Sequence, residues 1–179
     1  QQGESLINLK GGLGDFFGST LERDGFVAAM ASAKRGKSYV LFDLLWRGAI
    51  QGRKTAYFVV GDMSRSQVLR RIMRRTAKRP FDAGTILWPT SLTVEEGLAK
   101  VEHDEINFEA PATKEEMLAS LEKAAARLDG DDSVLRLSVH PSRGVSVAGI
   151  RAILSRWERD GFVPDVVCIA EGQKVLTDR

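Results

Sequence analysis

Cysteine and histidine are scarce in this chain. The single cysteine, Cys168, excludes an internal disulfide, and its place in the apolar run VVCI gives it the role of a small buried hydrophobe. The two histidines, His103 and His140, lie far apart with no cysteine cluster near them, which argues against a zinc site. His103 is expected in solvent; His140 follows an apolar strand and is either a structural residue or a neighbour of a site. No apolar run approaches the roughly 18 to 20 residues needed to cross a bilayer. The opening QQGESLINLK also lacks the basic-then-apolar layout of a secretory signal. A cytoplasmic location with no membrane partner is the resulting expectation. Internal repeats and low-complexity tracts are absent too, which excludes solenoids and disordered linkers.

At 179 residues, 43% hydrophobic and 28% charged, the chain has the make-up of one globular domain around a single core. Its net charge of +2 conceals segregation. RSQVLRRIMRRTAKR holds seven basic residues and no acid, whereas VEEGLAKVEHDEINFEAPATKEE is strongly acidic.

Apolar and amphipathic segments alternate along the chain. GFVAAM, residues 25–30, is expected as a short buried strand leading into the loop ASAKRGKS. A helix follows from about Lys37 to Ala49, with Gly52 as a left-handed cap just past its end, and TAYFVV is a second buried strand. Ser64 and Gln67 have capping-box spacing, so a helix begins near Arg65 and ends before Pro80. From about Phe81 to Ala112, the runs TILWPTSLTV and LAKVEHDEINFEA predict a β-hairpin insertion. Thr113 and Glu116 cap a further helix that stops at Gly130, and SVLRLSV is a third core strand. Ser146 caps a helix through about Arg159, and DVVCI is the last strand. Nearly all-apolar strands separated by helices imply an α/β fold: a mostly parallel sheet covered on both faces, with ligands at its carboxyl edge.

The stretch from Ala31 to Ser38 has the pattern A-x-x-x-x-G-K-S of a phosphate-binding loop. Between a strand and a helix, successive backbone N–H groups and the helix N-terminus converge on phosphate oxygens. The candidate nucleotide-binding residues are Ala33, Lys34, Arg35, Gly36, Lys37, Ser38 and Tyr39. Gly36 lets the backbone pass close to the phosphates, Lys37 supplies charge to the β- and γ-phosphates, and Ser38 offers its hydroxyl to Mg²⁺. Lys34 and Arg35 either add positive charge there or face solvent as ordinary loop residues. Ala31 replaces the first glycine, which requires only room for one Cβ. The competing interpretation is a solvated basic turn ahead of a core helix.

Asp62 directly follows the second strand and, beside Lys37, is the other candidate catalytic residue: it would orient or deprotonate an attacking water. The alternative is an acid placed favourably near the start of the next helix. After the last strand, where an acid should hold the Mg²⁺ shell, stands Ala170 and then Glu171, which points to the opposite side if the strand continues. Asp165 begins that strand, about 16 Å from the reactive edge at ~3.3 Å per residue, and is expected as a solvated turn residue.

From Gly25 to about Arg79, and again from Ser133 to Ile169, the chain resembles the RecA-like ATPase core of DnaB-type replicative helicases and related phage ATPases. The resemblance rests on ASAKRGKS as the Walker A loop and on YFVVGDMSRSQVLRRI, where the family has a strand, an acidic residue, Met-Ser and a helix. It rests also on GVSVAGIRAILSRWERDGFVPDVVCI, which ends in the Walker B strand. It implies a RecA-like fold, ATP and Mg²⁺ as cofactors, and ATP hydrolysis coupled to single-stranded DNA. It further implies assembly into a homo-oligomeric ring or filament in a bacterial or phage-infected cell. The family's catalytic glutamate corresponds to Asp62, one methylene shorter, and its Walker B aspartate to Ala170. Either hydrolysis is impaired, therefore, or residues are missing after Ile169.

Three classes of function follow. The first is a nucleic-acid motor, the second a nucleotide-gated scaffold that does not hydrolyse, and the third a small-molecule P-loop kinase. A kinase would want an arginine-rich lid, and this insertion is acidic instead. The arginine-rich helix is a DNA-contact candidate or, equally, a solvated face or subunit interface; it lacks the aromatic residues that stack on bases.

Overall fold

The computed structural model describes residues 4–30, 32, 36–61, 63–80, 82–95, 98–108, 111–128, 134–171 and 175–176. In chain order the elements are β1 (Ser5–Asn8), α1 (Gly12–Phe17), β2 (Thr20–Glu22), α2 (Lys37–Ile50), β3 (Thr55–Val60), α3 (Arg65–Ala77), β4 (Gly84–Glu95), β5 (Leu98–Phe108), α4 (Lys114–Leu128), β6 (Leu135–His140), α5 (Val147–Arg159) and β7 (Val166–Ala170). The class is α/β. One sheet is parallel with strand order β6-β3-β7, and two antiparallel pairs, β1-β2 and β4-β5, stand apart from it. The expected mostly parallel sheet is thus confined to three strands, because neighbouring segments joined by short connections pair antiparallel. The chain divides into one unit of residues 1–65 with 125–179 and a second of residues 66–124. Among the described residues no helix is long and apolar enough to cross a membrane.

In the first unit, β3 explains its own sequence. It lies between β6 and β7, and all six residues of TAYFVV are buried, so neither face tolerates the polar alternation of a half-exposed strand. Ala56, Phe58 and Val60 face α5, packing with Val145, Ile150 and Phe162 and with the partly buried Trp157. Burial of each large side chain here contributes about 1.5–3 kcal/mol. The other face carries Tyr57, whose ring centre is 6.1 Å from that of Phe42 on α2. Gly48 allows α2 to lie this close, since a Cβ there would stand 3.2 Å from Ile7 Cδ1 and 3.3 Å from Thr55 Cγ2. Ile7, Leu9 and Leu44 form a smaller core with Val166 at its margin. The short elements β1, α1 and β2 in this core have no counterpart in the apolar pattern, because three to six residues are too few to show a period.

The strand expected at 25–30 does not form. Arg23 donates its N–H to Glu4 at 2.9 Å, Asp24 turns the chain at φ 63°, and the Gly25 N–H reaches back to the Glu22 carbonyl at 3.3 Å. Beyond that turn the run is irregular, and Phe26 and Met30 are each 92% exposed. An apolar run supplies burial energy only where a partner edge receives it. Pairing between β1 and β2 fixes the residues just before this run, and the turn directs the run away from a ladder.

Caps hold where side chains permit them. Ser146 Oγ accepts the Gly149 N–H at 3.1 Å and starts α5. In the second unit, Thr113 and Glu116 form a reciprocal capping box at α4, at 2.9 and 3.2 Å, and Arg79 pairs with Glu116 at 3.1 Å. β4 and β5 pair from Gly84↔Phe108 to Glu95↔Leu98, in the region where the sequence predicts a hairpin, with an irregularity between Pro89 and Ser91 where proline has no N–H to donate. The end expected for α4 at Gly130 lies outside the described residues.

Candidate functional site

α2 returns to β3 through a tight turn at Gly52, φ 78°. Gly48 near its end meets Thr55 at the start of β3, while the Leu41 carbonyl lies 3.9 Å from Cys168 Sγ, further along β7. The helix therefore runs against the strands, and its N-terminus sits at their carboxyl end. Val60, His140 and Ala170 end the three strands at that same edge. Parallel α/β sheets bind ligands at this edge.

Gly36 is the N-cap of α2, with φ 84° and ψ 5°, and no side chain caps the helix. That left-handed conformation, rather than crowding, explains the glycine, since a Cβ there would meet nothing within 4 Å. The Tyr39 and Val40 N–H groups close the first turn onto the Gly36 carbonyl at 2.8 and 3.1 Å. No acid stands in the first turn of α2 itself to offset the positive end of the helix dipole. Lys37 folds back along the loop, its Nζ donating to the Ser32 carbonyl at 2.9 Å. Ser38 is half-buried beside it, and Tyr39 is 53% exposed. The remaining predicted site residues, Ala33, Lys34, Arg35 and Asp62, lie outside the described residues, as does Ala31.

On the strand side, Gly61 donates its N–H to the His140 carbonyl at 3.0 Å, tying the residue before Asp62 to the end of β6. His140 stacks near Phe58, and its Nε2 lies 2.7 Å from Ser138 Oγ. The pairing of Ser138 with His140 escaped the sequence; two polar residues spaced i and i+2 on one strand face were the available signal. β7 runs through Ile169 into Ala170, which is fully buried beside Val59. Glu171 does not continue the strand. It takes φ 61°, ends β7, and holds one carboxylate oxygen in the interior.

Asp165 departs from its expected role as a solvated turn residue. One carboxylate oxygen accepts the Lys54 N–H at 3.0 Å, and the other accepts from Arg23 at 3.1 Å. Cys168 is the buried hydrophobe its surroundings suggest, and burial pushes its thiol up to about 12.

Among the described residues no cluster of three or more His, Cys, Asp or Glu could hold a metal ion. A phosphate-bound Mg²⁺ asks less of the protein, because it keeps several waters and takes ligands from the phosphates. Ser38 can meet that demand, whereas Ala170 offers no side-chain ligand atom. Comparison with protein families, curated proteins and solved structures finds no match to this chain.

Proposed function

We propose that this chain is an ATP-binding domain of the RecA-like P-loop type, coupling nucleotide to single-stranded DNA handling or to assembly of a homo-oligomer. The observation that carries it is the placement of Gly36, Lys37 and Ser38. A left-handed glycine opens an uncapped helix at the carboxyl edge of a parallel sheet, with the lysine folded along the loop by its bond to Ser32. In the proposed complex, the Lys37 and Ser38 backbone N–H groups and the Lys37 ammonium take phosphate oxygens, and Ser38 would hold Mg²⁺. A bound Mg²⁺ would supply charge neutralisation at the phosphates. Asp62 has the role of orienting the attacking water, and the Gly61 N–H bond to the His140 carbonyl ties Gly61 to the end of β6.

A specific observation favours a second function, a nucleotide-gated scaffold that binds without turnover. Ala170 is fully buried at the end of β7, where phosphoryl transfer would use a carboxylate. Glu171 is the next acid in the chain, with its backbone turned into the left-handed region. Mg²⁺-dependent ATP hydrolysis, measured with and without single-stranded DNA and beside Lys37→Ala, separates the two. DNA-stimulated turnover that disappears in the variant supports the motor. ATP binding without turnover supports the scaffold, and a chain that binds no ATP contradicts both.

A further inference from the structure

The β4–β5 hairpin is a two-stranded sheet of its own, with no third strand beside it among the described residues. Each strand of such a ribbon is paired on one side only, so alternate residues turn their N–H and C=O groups outward. The two edges differ. β4 is interrupted by Pro89, which has no N–H, and by the irregularity between Pro89 and Ser91. β5 runs from Leu98 to Phe108 without proline or glycine, about 36 Å of open backbone edge at ~3.3 Å per residue. A two-stranded ribbon is marginal in water, and a third strand stabilises it.

The side chains of β5 select what that edge receives. Glu102, Asp104 and Glu105 stand there against the single base Lys100, and all four are exposed. Glu102, held by the Ser91 hydroxyl at 2.9 Å, shares a face with Asp104 and Ile106. Cross-strand pairing puts Trp88 on that same face opposite Asp104, with its ring 59% exposed. Val101 is exposed on the other face. A second copy of this edge would bring net negative charge against net negative charge, and phosphodiester backbones are repelled for the same reason. An extended backbone carrying positive charge is the complement.

We propose that the β5 edge takes an extended, basic segment of another protein as a third strand of this sheet. Main-chain hydrogen bonds to β5 hold the segment. Lysine or arginine side chains on one of its faces meet Glu102 and Asp104, and apolar side chains on its other face cover Val101. The inference goes beyond the nucleotide proposal and stands without it.

The probe is a fluorescein-labelled peptide of alternating lysine and valine, about ten residues long to match the edge. It is titrated into the full chain and followed by fluorescence anisotropy. Saturable binding is expected, with slowed amide exchange at alternate residues of β5. Methylating alternate backbone nitrogens of the peptide keeps its charge and removes its donors, and should weaken binding by about tenfold or more. Glu102→Lys with Asp104→Lys, in a chain whose thermal melt is unchanged, should weaken it as much and should instead take a peptide with glutamate in place of lysine. A peptide that does not bind overturns the proposal, as does equal binding by the methylated peptide or by the folded variant. Competition from a single-stranded oligonucleotide would give the edge to nucleic acid, and concentration-dependent protection of β5 without peptide would give it to a second copy; either result overturns the proposal too.

Discussion

Arg23 Nη2 lies 3.1 Å from Asp165 Oδ1, joining the residue after β2 to the residue before β7. The contact pins one end of the stretch that leads to the phosphate loop, and Asp165 simultaneously accepts the Lys54 N–H that precedes β3. Both partners raise the Arg23 guanidinium above its ordinary value, Asp165 first and Glu4 second. Asp165→Ala should cost about 1.5–3 kcal/mol in a urea melt, the range for a hydrogen bond to a charged group. Arg23→Ala should cost clearly less, since that side chain sits in solvent and leaves the Lys54 bond intact.

The α4 capping box gives a pH-dependent prediction. The Thr113 N–H, followed by the Arg79 charge, holds the Glu116 carboxyl below its usual value. A depressed carboxyl stabilises the fold above the unfolded-state pKa, and that contribution is lost as pH falls through the folded-state value. Wild type should therefore be the more stable protein near neutrality, and its urea midpoint should converge with that of Glu116→Gln on acidification. Thr113→Ala should cost about 1 kcal/mol at neutral pH.

Gly36 should tolerate substitution according to backbone preference rather than size. Its φ of 84° lies in the left-handed region, and the space around a Cβ is open. Gly36→Val should lose about 1–2 kcal/mol of stability, and Gly36→Asn less, because asparagine visits this region more readily. Thermal melts of the two variants check the order.

Cys168 should behave as core. Its thiol, raised to about 12 by burial, should not react with an aromatic disulfide reagent at pH 8 until denaturant unfolds the chain. Rapid labelling of the native protein would show that β7 opens to solvent.

Much of the first unit was legible in the sequence because its signals are local. The run TAYFVV, the cap at Ser146 and the turn at Gly52 each act over a few residues, as does the Thr113 cap in the second unit. Pairing is not local. GFVAAM has the apolar content of a strand but is exposed, because nothing within six residues encodes which edge receives it. Asp165 failed for a similar reason, since its partners Arg23 and Lys54 are remote in sequence. At the candidate site, the Gly36-Lys37-Ser38 motif was legible as chemistry, whereas the Ser138–His140 contact and the turn at Glu171 required coordinates.

Phosphate binding through Lys37 is the central claim, and calorimetric titration of Mg-ATP into wild type and Lys37→Ala tests it most directly. Saturable binding to wild type, with at least a tenfold loss in a variant of unchanged melting temperature, is the predicted result, as about 1.4 kcal/mol of charge–phosphate interaction requires. Equal affinity in both proteins, or no heat of binding in either, would contradict it.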